Sequence, residues 1–353
     1  MKNSLKLIAL FLLVVSVLWA VSPAEAGTGK RRGTASGVEL LIPVGSRGTG
    51  LGGNVISTSS GLEALYWNPA GLAAGSAPAE VMISHLKYIA DIDVNYAAAG
   101  FRFGFGAIGL SVKSIGFGDI PVTTELQTEG TGETLSPNFL TIGLSFSRQM
   151  TDRINFGLTG KVVSEKILRT SASTFAFDFG LQYATSVKGL KLGVAIKNLG
   201  PNLRFNGSDL EVRQPAAGTE PGTRNRNFRV PLGSFELPST LELGLSYDVV
   251  FGDNSLLTLG GNFMNHNFGL DQYGVAAEFA FQKSVFIRGG YTISYDPDTD
   301  KFRSQDDENL FGPSFGAGVN LKASENLRLN LDYAYRMTEL FDDNQWFTFT
   351  LTF

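Results

Sequence analysis

From Glu80 to Phe353 the chain breaks into segments of about ten residues in which apolar and polar side chains alternate, the period-2 pattern of strands with two unlike faces. In the clearest segment Leu327, Leu329, Leu331, Tyr333, Tyr335 and Met337 point one way, and Arg328, Asn330, Asp332, Ala334 and Arg336 the other. A helix would scatter both sets around its circumference. The pattern recurs in Phe175, Phe177, Phe179, Leu181 and Tyr183 against Asp178, Gly180 and Gln182, and in Leu241, Leu243, Leu245 and Tyr247 against Glu242, Gly244, Ser246 and Asp248. Alternation alone fits a soluble sandwich with its bulky face buried, or a membrane barrel with its bulky face in lipid.

Three further features choose the barrel. Fourteen segments run from 80–90 to 344–353, an even number, as a single-chain bacterial barrel requires. The connections after even segments are short, as at Thr151-Asp152 and Ala323-Ser324-Glu325, while the long ones (Gly118 to Ser136, Gly200 to Leu237, Asp296 to Phe311) all follow odd segments. That parity matches short periplasmic turns and long external loops. The last segment ends on Phe353, which resembles the signal by which outer-membrane barrels are recognised for assembly. The predicted fold is therefore all-β: a 14-stranded antiparallel transmembrane barrel over 79–353, in contact with outer-membrane lipid.

Only 18% of the residues are charged, low for a chain this long with a fully wetted surface. Lys2 and Lys6 ahead of the apolar run Leu7 to Leu18, with Ala24-Glu25-Ala26 after it, predict a signal peptide over 1–26, and 27–36 reads as a flexible mature N-terminus. There is no cysteine, which fits an exported protein without disulfides. The net charge of -4, with both signs interspersed, argues against nucleic acid as a partner.

The inward positions carry Lys161, Asp178, Glu242, Asp248, Glu278, Arg288, Arg328, Asp332 and Arg336, together with Lys113, Lys191, Lys197 and Asp93. An open charge-selective pore would favour one sign. Mixed signs point to paired networks around a filled interior.

Residues 37–78 are the candidate filling, an N-terminal hatch, because they do not alternate. Gly48, Gly50, Gly52 and Gly53 make a glycine-dense loop suited to close backbone packing. Ser60 to Trp67 reads as one short helix, with Ser60 as N-cap and Glu63 three residues on, stopped by Asn68-Pro69-Ala70-Gly71. Gly48-x-Gly50-x-x-Gly53 formally matches a dinucleotide fingerprint, but no βαβ unit surrounds it.

Two stretches, Val44 to Gly53 and Ala64-Leu65-Tyr66-Trp67-Asn68-Pro69-Ala70-Gly71-Leu72-Ala73, resemble the N-terminal signature of the PorV/PorQ family, itself similar to FadL-type outer-membrane transporters. The resemblance implies a fourteen-stranded barrel with an N-terminal hatch. The turn Ser57-Thr58-Ser59-Ser60-Gly61 lacks the aspartates common in that family.

No catalytic constellation is visible. His85 and His266 are the only histidines and neither has a second ligand at metal spacing. The expectation is a non-enzyme without cofactor or metal. The resemblance implies two functions: a PorV-like component of type IX protein secretion, engaging the translocon and cargo C-terminal domains, or a FadL-like transporter of hydrophobic small molecules. The long loop Gly200 to Leu237, with Arg224, Arg226 and Arg229 beside Phe228, Leu232 and Phe235, serves either.

Overall fold

The structure is a computed structural model that describes residues 31, 33–218, 220, 223–252, 254–303 and 310–353. The predicted signal peptide, 1–26, lies outside the described residues, as do residues 27–30 and 32 of the N-terminal segment.

Fourteen long strands form the wall: β1 Ala79–Lys87, β2 Asp93–Phe103, β3 Gly106–Gly116, β4 Asn138–Thr151, β5 Ile154–Ile167, β6 Thr170–Ala184 and β7 Leu190–Leu199. The second half comprises β8 Thr240–Phe251, β9 Ser255–His266, β10 Asp271–Phe281, β11 Val285–Asp296, β12 Phe311–Lys322, β13 Arg328–Thr338 and β14 Asn344–Thr352. Each pairs antiparallel with its sequence neighbours, and β1 pairs with β14 from Glu80↔Thr352 to Lys87↔Gln345, so the sheet closes and has no free edge. Closure satisfies the ladders internally over most of the wall, which a lipid environment demands.

The outward face is predominantly apolar: Phe101, Leu144, Phe175, Val275, Ile287, Phe315 and Phe349 are all exposed. In water each would forgo roughly 1.5–3 kcal/mol of burial, so this surface belongs in lipid. Such a closed barrel, with short turns at one end and long loops at the other, is an outer-membrane protein. The external connections hold small hairpins of their own, the largest being Glu211–Gln214 against Arg226–Arg229.

Several seams are locally irregular. A bulge shifts the β6–β7 register from Phe177↔Leu199 to Phe179↔Ile196, with Asn198 at a φ of 61°. On the opposite side β11 meets β12 only from Val285 to Gly290, and Pro313, which has no N–H to donate, lies just above that pairing.

Inside the wall, residues 37–75 fold as a string of short turns. They are the one-turn 3-10 helices Val38–Leu41 and Gly61–Glu63, the short α-helices α1 Ser46–Gly50 and α2 Ala64–Trp67, and the 3-10 helix Pro69–Ala74. The single helix expected over Ser60 to Trp67 is thus two pieces, and the expected capping box is absent. Ser60 makes no side-chain cap, and the Glu63 carboxyl, instead of reaching back to Ser60, accepts the Gly48 N–H at 2.6 Å and faces Arg47. Asn68 ends α2 as expected, but it also starts the next turn, its Oδ1 accepting the Ala70 N–H at 3.2 Å.

Candidate functional site

The candidate site is the lumen. Its floor is a contact between the inner segment and a girdle of wall positions that have almost no side chain. A methyl group built on Gly157 would overlap the Pro69 carbonyl, one on Gly180 the Asn68 amide, and one on Gly193 the Ile56 carbonyl. The same holds for Gly274 against Asn54 and Gly290 against Leu51. The positions are in register: Ser147↔Gly157, Gly157↔Gly180 and Gly193↔Gly244 are direct cross-strand partners. Backbone therefore packs on backbone, as close packing without a Cβ allows.

The motif residues sit at the centre of this contact. Gly48 lies flat on the Trp67 indole, where any side chain would collide, and Gly50 meets Gly316 of β12. Gly52 and Gly53 take positive φ values of 65° and 85° that turn the chain after α1. Tyr66 and Trp67 pack edge to face at 4.9 Å, and the Tyr66 hydroxyl donates to the Leu41 carbonyl at 3.0 Å. Asn68, fully buried, donates from Nδ2 to Ile56 O at 2.8 Å and to Leu181 O on β6 at 3.2 Å. Pro69, Ala70 and Gly71 are buried in the turn that follows.

Charges tie the segment to the wall. Arg47 on α1 reaches Glu278 at 2.9 Å, and Glu278 also meets Arg288 at 2.5 Å, which in turn meets Asp332 at 2.5 Å. Across the lumen Lys161 pairs with Asp178 at 2.7 Å, Lys197 with Glu242 at 2.6 Å and Lys191 with Asp248 at 2.8 Å. Lys113 donates to the carbonyls of Glu39 and Ile42 at 2.6 and 2.5 Å, and Arg102 to that of Ala73 at 2.7 Å. Among the described residues the inner segment fills the middle of the lumen, and most of the charges there are paired.

Solved structures of the same architecture are outer-membrane channels. The chain aligns with the toluene transporter TodX of P. putida over 89% of its own length and 99% of that chain, with a TM-score of 0.57 at 13% identity. It covers 99% of the Ralstonia pickettii toluene transporter TbuX from 89% of its own length, at a TM-score of 0.55 and 14% identity. A Pseudomonas aeruginosa FadL homologue aligns over 88% of this chain and 98% of that one, at a TM-score of 0.50 and 13% identity. The fold is the FadL-type barrel. No family model matches the sequence, and no curated protein does.

Within this FadL-type barrel most of the inward charges predicted from alternation reach the lumen, with two corrections. Arg328 opens β13 at the periplasmic rim and is exposed there, because the strand has only just left its turn. Asp93 faces outward beside His85, since β2 places Val94, Tyr96 and Ala98 inside. Arg336 is inward but lies above the ion-pair network. Phe353 is exposed, and its N–H donates to the Ala79 carbonyl at 2.9 Å, tying the chain end to the first strand. Alternation gave no sign of Arg47 and Glu63, which lie outside any strand, or of the wall glycines as a set. A glycine recurring at inward positions on successive strands is the signal that would have found the girdle.

The segment's N-terminal end is held by a carboxyl pair. Glu165 on β5 accepts from the Gly37 N–H at 2.8 Å, and Glu39 is buried beside it with both carboxyl oxygens unpartnered among the described residues. Burial first, and the Glu165 charge second, push Glu39 up from its ordinary 4.5 to about 7. The folded state thus binds a proton that the unfolded chain releases, so the attachment of this end is firmest at or below about pH 4.5 and weakens as the pH rises through about 7. Amide exchange at Gly37 to Ile42, corrected for intrinsic rates, is expected to be slower at about pH 5 than at about pH 8, and Glu39→Gln to abolish the difference. Equal protection at both values would refute this.

Proposed function

We propose that this protein carries hydrophobic small molecules into or across the outer membrane, as a FadL-like transporter. The observation that supports this most directly is a FadL-type barrel whose lumen is occupied by its own chain, which suits solutes that partition from loops and lipid better than solutes that need a water column. The architecture it shares includes channels described as toluene transporters. The segment 37–78 acts in this reading as the hatch that keeps hydrophilic solutes out.

A partnership with type IX secretion rests on the likeness of the two short sequence stretches, and nothing in the fold comparison favours it. Transport therefore takes precedence over the secretion role here. The test is made in cells of a host lacking FadL-type proteins. Expression of this chain should speed uptake of a neutral aromatic hydrocarbon, while entry of small sugars in a swelling assay stays at the level of the empty vector. Unchanged hydrocarbon uptake by a correctly folded barrel would overturn the reading. Recovery of a secretion complex from native membranes would restore the alternative.

A further inference from the structure

At the external end of the lumen, three inward residues lie directly opposite one another on adjacent strands: Ser314 on β12, Arg336 on β13 and Asn344 on β14. All three hold buried polar atoms without a partner among the described residues: Ser314 Oγ, Arg336 Nε, and both Oδ1 and Nδ2 of the fully buried Asn344. The contrast with the rest of the lumen is sharp. Arg47, Lys161, Lys197 and Arg288 meet carboxylates, and Lys113 and Arg102 meet carbonyls of the inner segment. Arg336 meets neither. Its guanidinium carbon lies 4.4 Å over the Phe311 ring instead.

Arg336 is half-buried with its Nε enclosed; a charge drawn partly out of water without a partner is costly, and a fold that keeps one while giving the other lumen cations carboxylate or carbonyl partners is built to receive a counter-charge. A guanidinium presents a planar fork of N–H groups that fits an oxyanion in bidentate fashion. The surroundings specify the rest of the ligand. Tyr88 packs against Phe311 with ring centroids 6.2 Å apart, and Phe117 and Phe139 meet edge to face at 4.9 Å on the neighbouring apolar cluster around Trp346. Below, the Trp346 indole donates to the Pro43 carbonyl at 3.2 Å, so the inner segment lies beneath this row.

We propose that this row is a binding site for a small aromatic carboxylate, its oxyanion on Arg336 and its ring against Phe311 and Tyr88. The inference rests on the transport reading and names the substrate class within it. A neutral hydrocarbon would fill the aromatic walls but leave Arg336 unanswered. A dianion would bring a second charge that the row does not match. A monoanion with an aromatic body satisfies both features.

Purified protein in non-ionic detergent would be titrated with 4-methylbenzoate and with 4-methylbenzyl alcohol, which share shape but not charge. The acid is expected to bind about tenfold tighter or better, the scale of one charge-assisted bidentate contact. Arg336→Gln should erase that preference, and Arg336→Lys, which keeps the charge but loses the fork, should retain part of it. Equal affinities in the unaltered protein, or a preference that survives Arg336→Gln, would overturn the site. The comparison in the unaltered protein stands even if the variant fails to fold. Loss of hydrocarbon uptake is a separate readout: it would remove the transport reading without equalising acid and alcohol.

Discussion

Gly180→Leu is expected to force the inner segment off the wall and open the barrel to hydrophilic solutes. The added side chain would overlap Asn68 Oδ1 and press within 2.9 Å of Pro69 Cδ, and neither neighbour can yield easily. Asn68 is fixed by its own bonds to Ile56 and Leu181, and Pro69 by its ring. Overpacking of this kind costs about 1–3 kcal/mol or more. The barrel ladder around Gly180, paired with Gly157 and Ala195, does not depend on the missing side chain, so the strain falls on the inner segment. The control is Gly289→Leu. That glycine faces outward, its nearest neighbours are 3.9 Å away, and an apolar side chain there enters lipid at a cost under about 0.5 kcal/mol. Both variants should migrate as folded barrels. Only Gly180→Leu should sensitise cells to a large hydrophilic antibiotic, and equal sensitivity of the two would show that the segment tolerates a filled girdle.

The wall was legible because alternation is a property of the extended backbone itself: whatever the tertiary context, successive side chains leave opposite faces. Strand positions agree to within three residues, as at β1, expected over 80–90 and found over Ala79–Lys87. The same parity placed Asp178, Glu242 and Asp332 inward with no knowledge of their partners. It misread Asp93 because the turn at Ile89–Asp91 resets the phase, with Ala90 and Asp91 both at positive φ. The inner segment was harder to read, for a physical reason. Ser46-Arg47-Gly48-Thr49-Gly50 contains two glycines and would not form a helix alone. It is helical because the wall offers Thr348, Glu278 and Gly316 as docking points. Glu63 was assigned to a local cap on spacing, yet in the folded chain it serves Gly48 and Arg47, contacts no local rule anticipates. Arg336 was legible only as a charge on an inward face; that it lacks a carboxylate partner depends on which residues stand opposite.

Glu278→Ala is expected to be the most destabilising single charge change in the lumen, and the reason lies in what it leaves behind. One carboxylate serves two buried guanidinium groups, Arg47 of the inner segment and Arg288 of the wall. Without it Arg288 keeps Asp332 at 2.5 Å, whereas Arg47 retains only Glu63 at the longer distance of 3.7 Å. Breaking a buried pair by removing one partner costs about 3–5 kcal/mol, mostly from the charge left uncompensated. Arg47→Met should cost less, because Glu278 then still satisfies Arg288. The double change Arg47→Met with Glu278→Met should recover part of the loss, since two apolar side chains replace an ion pair that had to be desolvated. Urea unfolding in detergent micelles, read through tryptophan fluorescence, would measure the cycle: Trp67, buried within the inner segment, and Trp346, buried in the wall against it, report its release. A coupling energy near zero would mean that Arg47 and Glu278 contribute separately, and that the girdle alone fixes the segment in the barrel.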